Sequence, residues 1–262
     1  MIIDTHAHYD DSAFDADRDE VLKSLKASGV EYVVNVGASL KSCHTTAALA
    51  EKYPFVYAAV GVHPDEVGEL SEEGMAWLRE AAALPKTVAI GEIGLDYYWD
   101  KEERDVQKEW FARQMELAKE VGLPIIVHSR EAAADTLDVM KAQNAREIPG
   151  VIHCFGYSTQ MAKEYLDWGY FLGIGGVVTF KNARKIKEVV EYMPLSQLLL
   201  ETDCPYLAPA PFRGKRNTSA YIPLIIEAIA DIKKVSTKEV EQTAYENARR
   251  FYKKIRQAEL RI

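Results

Sequence analysis

Two histidines one residue apart stand at the start of the chain, in Ile2-Ile3-Asp4-Thr5-His6-Ala7-His8. In an extended strand successive side chains alternate faces, so His6 and His8 point the same way. Two imidazoles side by side where an apolar strand runs out can chelate one metal ion, although a His-x-His pair by itself is also an ordinary surface pair. The rest of the chain adds the weight. Glu92 follows Val88-Ala89-Ile90-Gly91, His128 follows Pro124-Ile125-Ile126-Val127, and His153 follows Val151-Ile152. Glu201-Thr202-Asp203 follows Leu198-Leu199-Leu200. Four of the six histidines thus fall where short apolar runs end, a placement that scatter rarely produces.

Buried ionisable groups need partners, and divalent ions account for four imidazoles and two carboxylates together. That many ligands exceeds what one tetrahedral ion needs. It suits two ions about 3.5–4 Å apart, bridged by a carboxylate and a water or hydroxide. Glu92, on the middle strand, is the expected bridge. A nitrogen-rich set favours zinc or manganese over magnesium.

Such residues have to be delivered by the elements around them. Strand patterns cover Ile2–Thr5, Tyr32–Val36, Val56–Val60, Val88–Ile90, Ile125–Val127, Val151–Ile152, Tyr170–Ile174 and Leu198–Leu200. Helical patterns lie between and after them, at Asp17–Ala27, Ser42–Lys52, Glu72–Ala82, Arg104–Val121, Glu131–Gln143, Thr159–Trp168, Asn182–Glu191, Ala220–Lys233 and Thr237–Lys254. In Arg104–Val121 the residues Trp110, Phe111, Met115, Ala118 and Val121 make an apolar stripe at helical spacing. Ser158 and Ser236 are candidate N-caps, the latter with Glu239 at capping-box distance. Strands apolar on both faces belong to parallel sheets covered by helices. Eight of them, alternating with helices, predict a single-domain α/β chain, a (β/α)8 TIM barrel over residues 1–262 with the metal site at the carboxyl ends of the strands. A doubly wound open sheet fits less well, because no glycine-rich phosphate loop follows the first strand.

Composition narrows the function. A net charge of −8 argues against a protein that coats duplex DNA or acidic membranes, while a small metal-bearing cleft remains compatible with phosphates. No stretch has the length and apolarity of a membrane span, so no membrane partner is expected. Cys43, Cys154 and Cys204, odd in number and without a CxxC pair, predict reduced thiols and a cytoplasmic location.

The chain carries six ordered motifs, Asp4-Thr5-His6-Ala7-His8, Gly61-Val62-His63-Pro64, Gly91-Glu92-Ile93-Gly94-Leu95-Asp96-Tyr97, His128-Ser129-Arg130, His153-Cys154-Phe155 and Glu201-Thr202-Asp203-Cys204-Pro205-Tyr206. Together they resemble the TatD family of metal-dependent deoxyribonucleases. The resemblance runs to about Asn247-Ala248 and covers nearly the whole chain. It implies a distorted barrel of the amidohydrolase-like class, a divalent metal centre, and 3′-to-5′ exonuclease activity on DNA. It makes His6, His8, Glu92, His128, His153 and Asp203 the metal ligands, in agreement with the strand-end reading, and sets His63 near the substrate phosphate. Gly156-Tyr157 and Thr218-Ser219 depart from the family's usual loop residues, which bears on substrate choice and leaves the ligands intact.

Neighbouring residues carry weaker signals. Cys154 and Cys204 are one past proposed ligands, so alternation makes them small buried fillers. Glu201 shares a face with Asp203, either orienting a ligand histidine or serving as a structural acid inside the barrel. The basic run Arg213, Lys215 and Arg216 reads either as a phosphate clamp or as a solvated loop, and its place just beyond strand eight favours phosphate binding, with Arg213 the named contact. His44 reads as an exposed helix residue, and Lys181, Arg184, Lys185 and Lys187 as a solvated helix face.

The expected reaction is phosphodiester hydrolysis of single-stranded DNA, with RNA a second candidate, by hydroxide formed from a water whose pKa two divalent ions (zinc, manganese or magnesium) lower towards about 7. Asp203 would orient that hydroxide and take its proton, and His63 or Arg213 would stabilise the added negative charge. Two other functions use the same residues. One is a binuclear hydrolase of an amide, ester or lactone, though strand four offers Glu92 where a carboxylated lysine often bridges. The other is a metal-loaded scaffold with little turnover.

Overall fold

The computed structural model describes residues 1–99 and 101–259. The described strands form one sheet whose order follows the chain: β1 (Ile2–Ala7), β2 (Val30–Val36), β3 (Val56–Val60), β4 (Thr87–Asp96), β5 (Ile125–Arg130), β6 (Gly150–Ile152), β7 (Phe171–Ile174) and β8 (Leu198–Leu200). The helices are α1 (Arg18–Ser24), α2 (Leu40–Lys52), α3 (Glu72–Ala82), α4 (Arg104–Val121), α5 (Ala133–Ala142), α6 (Thr159–Asp167), α7 (Arg184–Tyr192), α8 (Ile222–Lys233), α9 (Thr237–Phe251) and α10 (Lys253–Glu259). One helix or more follows each strand, the alternation of a (β/α)8 barrel. No helix among the described residues is long and apolar enough to cross a membrane.

Backbone contacts group the chain into two compact units, Met1–Asn35 with Cys154–Arg250, and Val36–His153 with the segment from Phe251. In the first, β1 pairs in parallel with β2, β7 with β8, and a parallel bridge joins Ala7 to Cys204, beyond β8. Ile222, Ile225, Ile226 and Ile229 of α8 are buried at helical spacing. In the second, β3 to β6 pair in parallel in order. Phe111, Met115 and Ala118 of α4 are buried there, three of the five residues in the predicted stripe, while Trp110 and Val121 are half-buried.

The expected elements are present, with shifted ends. Thr237–Lys254 divides into α9 and α10 around Tyr252. The Asp17–Ala27 pattern becomes α1 followed by a 3-10 turn, Leu25–Ser28, and Ala220–Lys233 begins with a 3-10 turn before α8, where Pro223 occupies the first turn. The expected Glu131–Gln143 helix starts at Ala133, after Glu131 takes a left-handed φ of 54°. Asn182–Glu191 is found at Arg184–Tyr192. Ser158 and Ser236 cap their helices, accepting from the N–H groups of Met161 (3.3 Å) and Glu239 (3.1 Å).

The largest correction concerns β4. It continues well past Ile90 to Asp96, all ten residues buried, so Glu92 lies within the strand and not at its end. The apolar run ends at Ile90, but the ladder with β5 runs on through Ile93–Val127, Gly94–His128 and Asp96–Arg130. Close approach at that register requires Gly94. It has φ 149°, and a Cβ there would stand 1.9 Å from the His128 carbonyl oxygen. The clash is with backbone, which cannot move without breaking the ladder. Gly94→Ala is therefore expected to destabilise the protein by about 4 kcal/mol or more, read as a lowered urea midpoint, and to reduce metal binding with it.

Candidate metal-binding site

In the first unit the end of β1 meets the segment after β8. His6 Nε2 and His8 Nε2 are 3.1 Å apart, and Asp203 Oδ1 is 3.7 Å and 3.3 Å from them. Asp203 has a left-handed φ of 57°, a conformation that costs a non-glycine residue about 1 kcal/mol or more. Its N–H donates to the His6 carbonyl (2.9 Å), and its own carbonyl accepts from Tyr206 (2.9 Å), which holds it there. Underneath lies Asp4, fully buried. Its carboxylate accepts from the Thr202 N–H (3.1 Å) and hydroxyl (2.5 Å), the Ser219 hydroxyl (2.6 Å) and the His6 N–H (3.3 Å). One side chain thereby fixes the backbone beside two members of the cluster. Burial raises its pKa to about 6, against the lowering effect of those hydrogen bonds.

In the second unit Glu92 Oε1 is the centre. It lies 2.7 Å from His128 Nδ1 and 2.8 Å from His153 Nε2, with those nitrogens 3.2 Å apart. His63 Nε2 is 3.7 Å from the same oxygen. Two glutamines on α4, seven residues and so two turns apart, set the frame. Gln114 accepts from the Val62 N–H (2.7 Å) and donates to its carbonyl (3.0 Å), beside His63. Gln107 does the same for Asp96, at 2.9 and 3.1 Å. Asp96 Oδ2 in turn lies 2.9 Å from His128 Nε2, which fixes a proton on that nitrogen and turns Nδ1 towards Glu92. His63 is oriented likewise. Its Nδ1 accepts the Asp65 N–H at 3.2 Å, which leaves the proton on Nε2.

Both groups have the donor chemistry of a divalent cation site. Metal–ligand bonds of about 2.0–2.1 Å set neighbouring donors roughly 3–3.4 Å apart. The spacings of 3.1, 3.3 and 3.7 Å in one group and 2.7, 2.8 and 3.2 Å in the other surround that range. His6, His8 and Asp203 can hold one ion, and Glu92, His128 and His153 another, with His63 beside the latter.

Other expected residues have different roles. Glu201 Oε1 accepts the Cys154 N–H at 2.5 Å and so acts on the backbone. Its second oxygen lies 2.1 Å from where a Cβ on Gly173 would be, so a side chain at that position would have to displace the carboxylate. Arg213 lies over the Phe180 ring at 4.6 Å, exposed and outside both groups. Arg216 is not available for phosphate. It grips Asp17 with two hydrogen bonds of 2.8 and 2.6 Å and donates to the Ala13 carbonyl (2.7 Å). Cys204 is buried as expected, and burial pushes its thiol pKa far up. Cys154 is partly exposed and not the buried filler that alternation suggests, because its left-handed φ of 44° ends the strand pattern. His44 is exposed but lies against Trp77, ring centres 3.8 Å apart. Arg184, on the solvated face of α7, pairs with Glu188.

Asp96, Asp4 and the two glutamines are the functional residues that the sequence reading missed. Gln107 and Gln114 were detectable as polar residues in line with the apolar stripe of α4. Asp4 and Asp96 carried no spacing signal that separates them from turn carboxylates.

Electrostatics divides the imidazoles. Burial and the neighbouring His128 charge push the His63 pKa down to about 3, so His63 is neutral. Burial also disfavours the His128 cation, but hydrogen bonds to Asp96 and Glu92 outweigh it and lift the pKa to about 9. Burial opposes the Asp96 charge too, and hydrogen bonds from His128 and two backbone amides bring it to about 2. In metal-stripped protein the raised His128 pKa means stability that is complete below about 6.5 and lost as the pH rises through about 9. The depressed Asp96 pKa means stability present above about 3.8 and lost as the pH falls through about 2. Urea unfolding of stripped protein is expected to show the alkaline loss, on the order of 1–3 kcal/mol. Asp96→Asn, which removes the stronger anchor of the imidazolium, is expected to flatten it.

The sequence profile described as TatD related DNase matches residues 3–253. An uncharacterized metal-dependent hydrolase of Bacillus subtilis, YabD, is 45% identical over 97% of this chain and 99% of its own. The uncharacterized metal-dependent hydrolase YcfH of Escherichia coli is 35% identical, with 96% of each chain covered. The crystal structure of YjjV, a TatD homologue from Escherichia coli, superposes with a TM-score of 0.91 at 31% identity, covering 96% of this chain and 98% of that one. With its barrel and its histidine–carboxylate clusters in view, the chain belongs to the TatD family of metal-dependent hydrolases.

Proposed function

We propose that this protein is a cytoplasmic 3′-to-5′ exodeoxyribonuclease that hydrolyses the phosphodiester bonds of single-stranded DNA with two divalent ions, one for each cluster. The observation that carries the reading is the donor spacing of His6, His8 and Asp203 and of Glu92, His128 and His153. The description of the family profile as a DNase supports the choice of substrate. Bound divalent ions supply Lewis acidity, which activates a water and offsets charge on a phosphate oxygen.

The side chains divide the remaining work. Asp203, kept in place by its hydrogen bond to His6, accepts a proton from the attacking water. The water oxygen bonds to phosphorus, the bond from phosphorus to the 3′ oxygen breaks, and the proton passes to that oxygen. The products are a 5′-mononucleotide and a strand shorter by one. His63, neutral with its proton on Nε2, donates a hydrogen bond to a phosphate oxygen as negative charge builds. Arg213, exposed beyond β8, is the cation for the next phosphate along the strand.

The test uses protein stripped with chelator and resupplied with magnesium, manganese or zinc, on single-stranded DNA labelled at its 5′ end. Stepwise shortening from the 3′ end is expected with metal and none without. Glu92→Ala is expected to lose both metal and activity. Asp203→Asn should lower turnover by about 10²-fold or more while the second cluster keeps its metal, as measured by metal analysis. Intact DNA with hydrolysis of an ester or lactone panel would assign the site to carbonyl substrates, and metal uptake with no turnover of either would leave a scaffold.

A further inference from the structure

Just beyond β4 the chain presents two open aromatic rings, Tyr98 at 50% and Trp99 at 57% exposure. They are firmly held. The N–H groups of Tyr98 and Trp99 donate to Asp96 Oδ1 at 2.9 and 3.0 Å, and the other oxygen of that carboxylate anchors His128. The rings meet edge to face, centres 5.0 Å apart and planes at 85°. The Arg130 guanidinium lies over Tyr98 at 3.8 Å and reaches Trp99 at 5.6 Å. Arg130 ends β5 opposite Asp96, and its carbonyl accepts the Tyr97 N–H at 2.9 Å. It is exposed and forms no ion pair with a described residue.

A guanidinium lying on a tyrosine uses its face and keeps its in-plane N–H donors for an anion. An open aromatic ring beside such a cation suits an unpaired nucleotide, whose base stacks on the ring while its phosphate takes the donors. A base inside a duplex already has both faces covered by its neighbours. We infer that Trp99, Tyr98 and Arg130 form a nucleotide subsite that holds an unpaired base and its phosphate, tied through Asp96 to the cluster of His63, Glu92, His128 and His153. The inference rests on the nuclease reading and adds the residues that select an unpaired end.

The probe is a thymidine dodecamer carrying 5′-fluorescein and phosphorothioate linkages at its 3′ end, which slow cleavage, with binding to metal-loaded protein read by anisotropy. Trp99→Ala is expected to weaken binding about tenfold, while Trp99→Phe keeps most of it. Arg130→Gln is expected to weaken binding and reduce its salt dependence. On the same strand with abasic 3′-terminal residues the unaltered protein should itself bind about tenfold more weakly, and Trp99→Ala should add nothing. Trp99 is more than half exposed, so its variants should keep the unaltered unfolding midpoint. Unchanged affinity in Trp99→Ala, or an equal loss on both strands, would overturn the subsite while leaving a nuclease that still shortens DNA. An unaltered protein that neither binds nor shortens the DNA would overturn both readings.

Discussion

A carboxylate taken out of water keeps its charge only if its lone pairs are filled by donors, and the rest of this structure depends on how Asp4 and Asp96 meet that demand. Each is buried, and neither belongs to the ligand sets. Asp4 gathers donors from Thr202, Ser219 and His6, and with them the backbone on either side of the first cluster. Asp96 gathers the imidazole of His128 and the amides that begin the next loop. Converging imidazoles and carboxylates compete for the same space, and without such anchors they would relax away from one another. The anchors are acids because a charged acceptor makes stronger hydrogen bonds than a neutral one.

Neutral groups take over where the chain needs direction without charge. Gln107 and Gln114 each answer the N–H and the carbonyl of one residue, as a neighbouring strand would, and Gln107 also donates to the Glu102 carbonyl. This allows α4 to pack its apolar stripe against strands whose ends are still polar and irregular. His63 follows the same rule, since a backbone amide on Nδ1 fixes which nitrogen keeps the proton. The second cluster therefore contains His63 with its proton on Nε2, and His128 and His153 with one ring nitrogen each directed at Glu92. The outer nitrogens of His63 and His128 are held by the Asp65 amide and the Asp96 carboxylate.

Much of this was legible in the sequence because strands apolar on both faces make every polar residue at their ends conspicuous. His6, His8, His128, His153 and Asp203 stood out for that reason, and the structure gathers them into the two clusters. Glu92 was found by the same reasoning with the wrong boundary, because two glycines and two acids interrupt the apolar pattern between Gly91 and Asp96. Asp4 and Asp96 stayed hidden, since a carboxylate that accepts hydrogen bonds from distant backbone looks the same in sequence as one facing water. Arg216 illustrates the reverse error. Its basic neighbours suggested phosphate, while its geometry is spent on Asp17, a partner about two hundred residues away that no local pattern announces.

The contact between Glu201 and Gly173 joins two distant positions in a single inheritance. The carboxylate occupies the volume that a side chain on residue 173 would need, and it uses that place to hold the Cys154 amide. Neither position can drift alone. A methyl group at 173 would evict the acid, and a shorter acid at 201 would open a void above the glycine and leave the amide without its acceptor. Descendants of this sequence are therefore expected to keep the pair or to replace it as a unit.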